Sequence, residues 1–314
     1  MTHNCETLNL NKMRNSFLMA AMLLLAASCS NERVENLVEN NEEQATAPVR
    51  VSVSDFSMSM SEVVGTRGLT RSAVDPATYT GVGAMTLAFF DAQGTEVYKT
   101  TQVRGDGSTY PTFGEFTANL PVGNYTMVAL GYAYYTGDVF VLTSPTEAAY
   151  TSERPRETFC KTQSVTVTST APLSLNVTLN RISAKLEIIS TDNRPAGIAK
   201  MRTTFAKGGK SFNPTTGLAT VDTGFWQTNT PSAAVGSPID IASLPLLYTD
   251  EESMDVTIEA LDAADNVLAT KVVTNVPFKR NRATILSGAV FTAGTSGAAF
   301  KLETDWLTDE TVNF

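Results

Sequence analysis

Short runs of alternating apolar and polar residues recur from Val49 onward, and this pattern constrains the fold more than any other feature of the chain. Successive side chains of a β-strand point to opposite faces of the sheet, so alternation with a period of about two is typical of half-buried strands. The runs lie about 8–12 residues apart and are separated by Gly, Asn, Asp and Pro, whereas hardly any stretch shows the helical period. The pattern predicts an all-β fold built from sandwiches.

The first run changes phase part of the way along. Valines alternate with polar residues from Val49 to Val53, whereas the apolar positions from Phe56 to Met60 continue in the opposite register. The slip falls at Asp55, and one slip in a long strand predicts a β-bulge or a bend. Further strands are predicted at 85–90, 96–101, 113–118, 125–132, 173–179, 200–205, 239–246, 254–261, 267–274, 282–291 and 299–302.

The length of 314 residues allows about two domains. A boundary is predicted near Asn180 and Arg181, because the strand pattern begins again there. The first β-sandwich domain would then occupy residues 48–180 and the second residues 181–314. Each is large enough for a hydrophobic core of its own.

Residues 1–28 have the pattern of a bacterial lipoprotein signal peptide. A basic start is followed by eleven apolar residues at 17–27, too few for the roughly 20 that span a bilayer but typical of a signal-peptide core. Small residues precede Cys29, as in a lipobox, so we expect Cys29 to be acylated and to begin the mature protein. A plain secretory signal is the alternative. Residues 29–47 are rich in Glu and Asn and lack aromatic residues, which predicts a disordered acidic tether.

Histidine and cysteine are too scarce for the common catalytic sites. The single histidine, His3, lies in the predicted signal peptide, so the mature chain has no Ser-His-Asp triad and no histidine metal site. Cys160 is then a lone thiol with no histidine to activate it. Paired carboxylates hydrolyse glycosides without histidine, but no motif marks such a pair. We expect no catalytic residues, no cofactor and no metal site.

The formal net charge of −9 and a pI of about 4.8 argue against a nucleic-acid partner, whose phosphates require a basic surface.

Two short motifs have ordinary explanations. The tripeptide Arg104-Gly-Asp106 is explained by turn chemistry, and the acidic residues at 250–255 are expected to form a solvated loop. Trp226, Trp306 and nearby Phe225 suggest a carbohydrate platform, although core packing is the expected use.

Four motifs follow the lipobox and the acidic tether in an order that resembles the fimbrillin family, the type V pilins of Bacteroidales. The resemblance covers most of residues 45–314. The motifs are an arginine-bearing loop, a hydrophobe–Phe-Asp-x-x-Gly turn, a Leu-Pro-x-Gly-x-Tyr hairpin and an Arg-x-x-Ala-Lys segment, found here at Val64–Arg71, Leu87–Gly94, Leu120–Tyr125 and Leu179–Leu186.

The resemblance implies two transthyretin-like Greek-key sandwiches in tandem and export to the cell surface as an outer-membrane lipoprotein. In the family, an arginine-specific protease removes the first strand of the first domain. A strand from the next subunit then fills the groove, which is β-strand addition. The implied partners are other fimbrial subunits in a homo- or heteropolymer, the outer membrane through the lipid on Cys29, and the protease.

This sequence supplies candidate parts for that mechanism. Residues 49–60 are the removable strand, and Arg67, which lies near Gly65 and Gly68, is preferred over Arg71 as the cleavage site. The alternative is that both arginines are ordinary loop residues. The candidate donor strand carries alternating side chains, and an equally good interpretation makes it the last strand of its own sandwich. Those side chains are Phe300, Leu302, Thr304 and Trp306.

The function predicted from the sequence is a structural subunit of a fimbrium. Within the same family, an anchoring subunit keeps its first strand and its lipid, and a tip subunit accepts a strand without donating one. A hypothesis of another class is a surface lipoprotein that binds glycans, which exposed aromatic residues on one sheet face would favour.

Overall fold

A computed structural model of the chain describes residues 45–59, 71–107, 110–135, 140–151, 154–292 and 301–303. These residues form twenty β-strands and no helix, which confirms the all-β prediction. Residues 44–314 belong to one compact unit. In this described part of the chain there is consequently no helix of the length and hydrophobicity needed to cross a membrane.

Ten strands come from the first half of the chain. They are β1 (Thr46–Ser59), β2 (Arg71–Val74), β3 (Ala84–Phe90), β4 (Glu96–Val103), β5 (Glu115–Pro121), β6 (Gly123–Tyr132), β7 (Phe140–Ser144), β8 (Glu147–Tyr150), β9 (Thr158–Val167) and β10 (Leu173–Arg181). Ten more follow: β11 (Lys185–Ser190), β12 (Lys200–Phe205), β13 (Ser211–Asn213), β14 (Leu218–Ala219), β15 (Phe225–Asn229), β16 (Asp240–Ser243), β17 (Glu251–Leu261), β18 (Val267–Lys279), β19 (Ala283–Gly288) and β20 (Lys301–Glu303).

The first half forms a large sheet that folds around its own core. Its strand order is β2-β1-β10-β9-β6-β3-β4, and β5 pairs with β1. Side chains of β4 tie the far end of this sheet to β5. The Tyr98 hydroxyl donates to the Thr117 carbonyl at 3.0 Å, and the Gln102 amide donates to the Glu115 carbonyl at 2.7 Å. These bonds bring the two ends of the sheet together over the first hydrophobic core.

Strand β3 is buried on both faces, which explains why its sequence is almost continuously apolar. One face, with Met85, Leu87 and Phe89, packs into the first core. The other face, with Ala84 and Phe90, packs into a second cluster that also contains residues from the second half of the chain.

The second half is a sandwich of two four-stranded sheets. One has the order β16-β11-β19-β20, with β11 and β19 parallel, and the other has the order β15-β12-β17-β18. Their facing side chains form a separate core that includes Leu186, Met201, Phe205, Ile258 and Leu286. Strand β12 spans exactly the residues that the sequence pattern predicts, because strict alternation marks both of its ends.

A further small sheet joins the two halves, and no pattern in the sequence predicts it. Its order is β14-β13-β8-β7, so β8 from the first half pairs with β13 from the second. Phe212 of β13 and Leu246 are buried in the same cluster as Phe90 and Tyr132. Since residues 44–314 form one compact unit, the division into domains at Asn180 stays a prediction.

Two of the sequence motifs have clear local causes. In the Phe-Asp-x-x-Gly turn, one Asp91 carboxylate oxygen accepts the amide protons of Gln93 and Thr95 at 2.9 and 2.8 Å, and Gly94 takes a positive φ of 80°. In the Leu-Pro-x-Gly-x-Tyr hairpin, the Tyr125 hydroxyl donates to the Pro121 carbonyl at 2.8 Å. The tyrosine therefore fixes the turn between β5 and β6.

Candidate functional site

Strand β1, the predicted removable strand, lies inside the first sheet and is paired along both edges. It runs parallel to β10 from Val49 to Ser57. Its other edge pairs antiparallel with β5 from Thr46 to Ser52 and with β2 from Phe56 to Ser59. The register with β10 shifts between Val53 and Asp55, which confirms the bulge predicted from the phase slip.

One face of β1 is packed into the first core. Its buried side chains are Ala47, Val49, Val51, Val53, Phe56 and Met58. The Phe56 ring lies 4.7 Å from the Phe159 ring and 5.9 Å from the Tyr79 ring, centroid to centroid. The bulge at Ser54 is what allows the valines and the Phe56–Met58 segment to point to the same side. Without it, the second half of the strand would present its polar residues to the core.

A buried ion pair lies beneath the second half of β1. Arg181, the arginine of the Arg-x-x-Ala-Lys segment, contacts the Glu157 carboxylate at 2.7 Å. The Tyr79 hydroxyl donates to the other Glu157 oxygen at 2.7 Å, and burial together with the charge of Glu157 raises the pKa of Tyr79 well above its ordinary value. Arg181 also lies 2.9 Å from the Met58 sulfur, so the pair touches β1 directly.

This ion pair gives the family motif a physical meaning that the sequence alone did not reveal. The Arg181 guanidinium is also 5.1 Å from the centroid of the Phe159 ring. A buried charge requires a partner, and Glu157 supplies it from the position directly before β9, the strand next to β10. The cluster thus connects β1 and β10 with the segment that leads into β9.

The predicted cleavage arginines fall at the boundary of the described residues. Arg67 lies outside them. Arg71 is the first residue of β2, where its backbone pairs with Ser59 of β1. Cys29, the predicted lipidation site, also lies outside the described residues.

The C-terminal candidate donor is described only at 301–303. Its backbone forms β20 and pairs antiparallel with β19, with Leu302 opposite Leu286. Phe300, Thr304 and Trp306 lie outside the described residues. At 301–303 the backbone is therefore paired within the second half of the chain, and the donor role of the segment stays a prediction.

An aspartate clamp holds the chain just before that segment. The Asp192 carboxylate accepts hydrogen bonds at 2.8 Å from the backbone amides of Val290, Phe291 and Thr292, and one at 2.9 Å from the Thr292 hydroxyl. Partial burial opposes ionisation, but these bonds outweigh it and lower the pKa of Asp192. Asp192 therefore fixes the point from which the C-terminal segment departs.

The remaining sequence motifs prove to be structural. The Arg104 guanidinium donates to the carbonyls of Pro76, Ala77, Tyr79 and Val82, so the arginine of the Arg-Gly-Asp tripeptide is committed to holding the 76–82 loop. The loop predicted for the acidic residues at 250–255 is wrong for 251–255, because these residues begin β17 and its N-terminal part pairs with β18. Asp250 pairs with Arg280 at 2.7 Å and Glu251 pairs with Lys279.

Cys160 is a buried thiol that donates to the Pro214 carbonyl at 3.1 Å, and burial raises its pKa to about 12. A thiol with that pKa stays protonated at neutral pH, which makes it a poor nucleophile. Among the described residues, no group of His, Cys, Asp and Glu is arranged to hold a metal ion.

Trp226 differs from the sequence expectation. Phe225 is buried, but the Trp226 indole is 43% exposed on the outer side of β15. The prediction that Trp226 packs in the core was therefore wrong. Trp306 lies outside the described residues.

One family model matches the sequence, at residues 82–310, and it describes a family of unknown function, DUF6562. No curated protein matches the sequence significantly.

Solved structures with a similar arrangement are distant in sequence. A candidate adhesin from Bacteroides ovatus is 11% identical, with a TM-score of 0.49 over 82% of this chain and 96% of that chain. The fimbrial anchor protein Mfa2 from Porphyromonas gingivalis is 10% identical, with a TM-score of 0.44 over 82% and 95%. A candidate polysaccharide-binding protein from Bacteroides thetaiotaomicron is 10% identical, with a TM-score of 0.46 over 77% and 92%.

Proposed function

We propose that this chain, which belongs to the DUF6562 family of unknown function, is a structural subunit of a cell-surface fimbrium. It would be exported as a lipoprotein and assembled by β-strand addition after arginine-specific proteolysis. The observation that carries the proposal is the position of β1. This strand is paired on both edges, fills the first core and is followed in sequence by Arg67 and Arg71.

The burial of β1 is large enough to make its loss decisive. Five of its side chains, Val49, Val51, Val53, Phe56 and Met58, are almost completely buried. Each contributes roughly 1.5–3 kcal/mol on burial, so their combined contribution is comparable to the roughly 5–15 kcal/mol that stabilises a typical domain. A subunit that has lost β1 would have to replace it with another strand or unfold.

The backbone adds a second requirement for a replacement strand. Removing β1 would leave the inner edges of β10 and β5 without partners, and unpaired backbone groups at an apolar groove favour pairing with another chain. A strand donated by the next subunit would satisfy both the groove and the two edges. Repetition of that contact, head to tail, gives a fibre that does not close.

Arg71 lies in a paired strand, which restricts cleavage beside it. The Arg71 backbone pairs with Ser59 of β1, so cutting beside it requires that end of β2 to open first. Proteases favour exposed loop segments over paired strands. The pairing counts against Arg71, and Arg67 stays the preferred site because Gly65 and Gly68 lie near it in the sequence.

Cutting the chain does not by itself remove β1. The strand remains held by its ladders with β10, β5 and β2 and by the side chains in the core. We therefore expect the cleaved subunit to keep β1 bound until an incoming strand displaces it. An anchoring subunit would differ only in that the cut or the displacement does not happen.

The test is to treat the purified lipid-free precursor with an arginine-specific protease. The products are then followed by N-terminal sequencing, by SDS-resistant ladders and by electron microscopy. A new N-terminus at Gly68 together with polymers supports the stalk subunit, and Arg67→Ala should abolish both while Arg71→Ala should not. Cleavage without polymers would indicate a tip subunit. No cleavage would indicate an anchoring subunit, and either outcome would overturn the stalk assignment.

A further inference from the structure

The outer face of the β15-β12-β17-β18 sheet carries an unusual set of exposed side chains. Strand alternation buries Phe225, Phe205 and Ile258 on the inner side and turns their neighbours outward. The largest outward side chain is that of Trp226, which is 43% exposed. We call this surface the outer face, and it consists of Trp226, Thr228, Arg202, Thr204, Thr257, Glu259, Thr270 and Val272.

The strand register arranges these side chains in two rows. One row reads Trp226, Thr204, Thr257 and Val272 across the four strands. The next row reads Thr228, Arg202, Glu259 and Thr270. With strands about 4.8 Å apart and like-facing residues about 7 Å apart along a strand, each row is about 15 Å long and the rows are neighbours. The outer face is thus a strip with the indole at one end and hydrogen-bonding groups along it.

The charges on this strip cancel in pairs. Arg202 Nε donates to Glu259 Oε2 at 2.7 Å, and Lys200 at the margin pairs with Asp265 at 2.8 Å. A guanidinium has five N–H donors, and a carboxylate has several acceptor positions. The Arg202–Glu259 pair can therefore still donate hydrogen bonds to a ligand through Arg202 and accept them through Glu259. The surface offers directional hydrogen bonds without net charge.

These properties fit one class of ligand. An indole packs against the C–H face of a pyranose ring, while paired donors and acceptors and threonine hydroxyls match adjacent sugar hydroxyls. We propose that the outer face binds a neutral hexose glycan, with Trp226 as the stacking platform and the Arg202–Glu259 pair as the group that orients the sugar. This function is separate from strand exchange, because β1 and its groove belong to the first core.

A second copy of the chain fits this surface less well. Two sheets that pack face to face require apolar side chains over the shared area. Among the eight residues of the outer face, four are threonines and two form the ion pair. The exposed large apolar residues of this sheet lie on its two outermost strands and not across its centre. They are Trp226 on β15 and Val267, Leu268 and Val272 on β18.

The experiment measures binding of the purified full chain to an array of neutral, sialylated and sulfated oligosaccharides, followed by calorimetric titration of the best neutral ligand. Trp226→Ala should weaken that binding by at least about tenfold, as expected for a stacking aromatic, and Trp226→Phe should retain most of it. The matched control is Tyr248→Ala, because Tyr248 is 45% exposed but lies outside the outer face. Its binding should equal that of the unmodified chain.

Thermal melting of each variant separates loss of binding from loss of folding, and Trp226→Phe remains informative if Trp226→Ala folds poorly. The proposal is overturned if no neutral glycan binds, if acidic glycans bind best, or if Trp226→Ala binds as well as the unmodified chain. It is also overturned if sedimentation shows self-association that Trp226→Ala abolishes, since the face would then belong to a second copy.

Discussion

Phe56 gives the sharpest test of whether β1 is an integral part of the first core. Its side chain is fully buried, and its ring packs against the Phe159 and Tyr79 rings, which also contact each other. The ring also lies against the backbone of β6, because a methyl group added to Gly131 would meet it at 3.1 Å. Phe56→Ala would therefore leave a cavity walled by rigid neighbours.

The expected cost follows from that environment. Phe→Ala substitutions at such sites destabilise a protein by about 3–5 kcal/mol. For a chain of this size, each 1 kcal/mol lowers the melting temperature by about 2–4 °C, so we expect a decrease of about 6–20 °C. Differential scanning calorimetry of the lipid-free precursor measures this directly.

Arg50→Ala is the matched control, since Arg50 is exposed on the same strand. Surface substitutions of this kind change stability by about 0.5 kcal/mol or less. If Phe56→Ala lowers the melting temperature no more than Arg50→Ala does, then β1 does not fill the core and the reasoning behind strand replacement fails.

Three further predictions concern the Arg181–Glu157 ion pair, the Asp192 clamp and the lipid on Cys29. Arg181→Met leaves Glu157 buried without its cation, so it should lower the free energy of unfolding, measured by urea denaturation, by about 3–5 kcal/mol. Adding Glu157→Gln to that variant should restore much of the loss. An equal loss in the single and the double variant would count against a coupled pair. Because the folded-state pKa of Asp192 is lowered, its stabilising effect is present above the ordinary carboxyl pKa of about 4 and disappears as the pH falls through the lower folded value. The difference in melting temperature between the unmodified chain and Asp192→Asn should thus be largest near neutral pH, and a difference that grows on acidification would contradict the clamp. Cys29→Ala should move the protein out of the membrane fraction and stop incorporation of labelled palmitate, whereas unchanged labelling would exclude Cys29 as the lipid site.

The parts of the fold that the sequence predicts are those encoded by local alternation. The strand at Lys200–Phe205 and the bulge between Val53 and Asp55 follow from the order of apolar and polar residues alone. The Asp91 turn likewise follows from a side chain that bonds its own neighbours. Each of these features is complete within about a dozen residues.

The features that the sequence did not predict depend on pairing between distant segments. No local pattern connects β8 with β13, which are separated by about 60 residues, so the sheet that joins the two halves was missed. The partnership of Arg181 with Glu157 was missed for the same reason, although the arginine had been noted within a motif. Trp226 was misjudged because β15 is short and follows Gly224, which leaves too few alternating positions to show which side faces the core.

The candidate site was therefore predicted in its components and not in its arrangement. The sequence indicated a removable strand with a kink, but not that β10 would flank it in parallel while β5 and β2 cover the other edge. This arrangement is what makes the groove narrow and two-sided. It also makes a direct test possible, because residues on β1 and β5 lie opposite each other in a known register.

The most direct test of the central claim is to lock β1 in place with a reversible disulfide. Ser52 and Glu115 are paired across β1 and β5, and Cα atoms of such antiparallel pairs lie about 4.5–5.5 Å apart, within the range that a disulfide spans. The doubly substituted precursor, Ser52→Cys with Glu115→Cys, is treated with the arginine-specific protease before and after reduction. We predict cleavage without polymers while the disulfide is closed, and polymers once it is reduced. Polymers of equal yield from the locked subunit would show that β1 need not leave, which would contradict assembly by strand replacement.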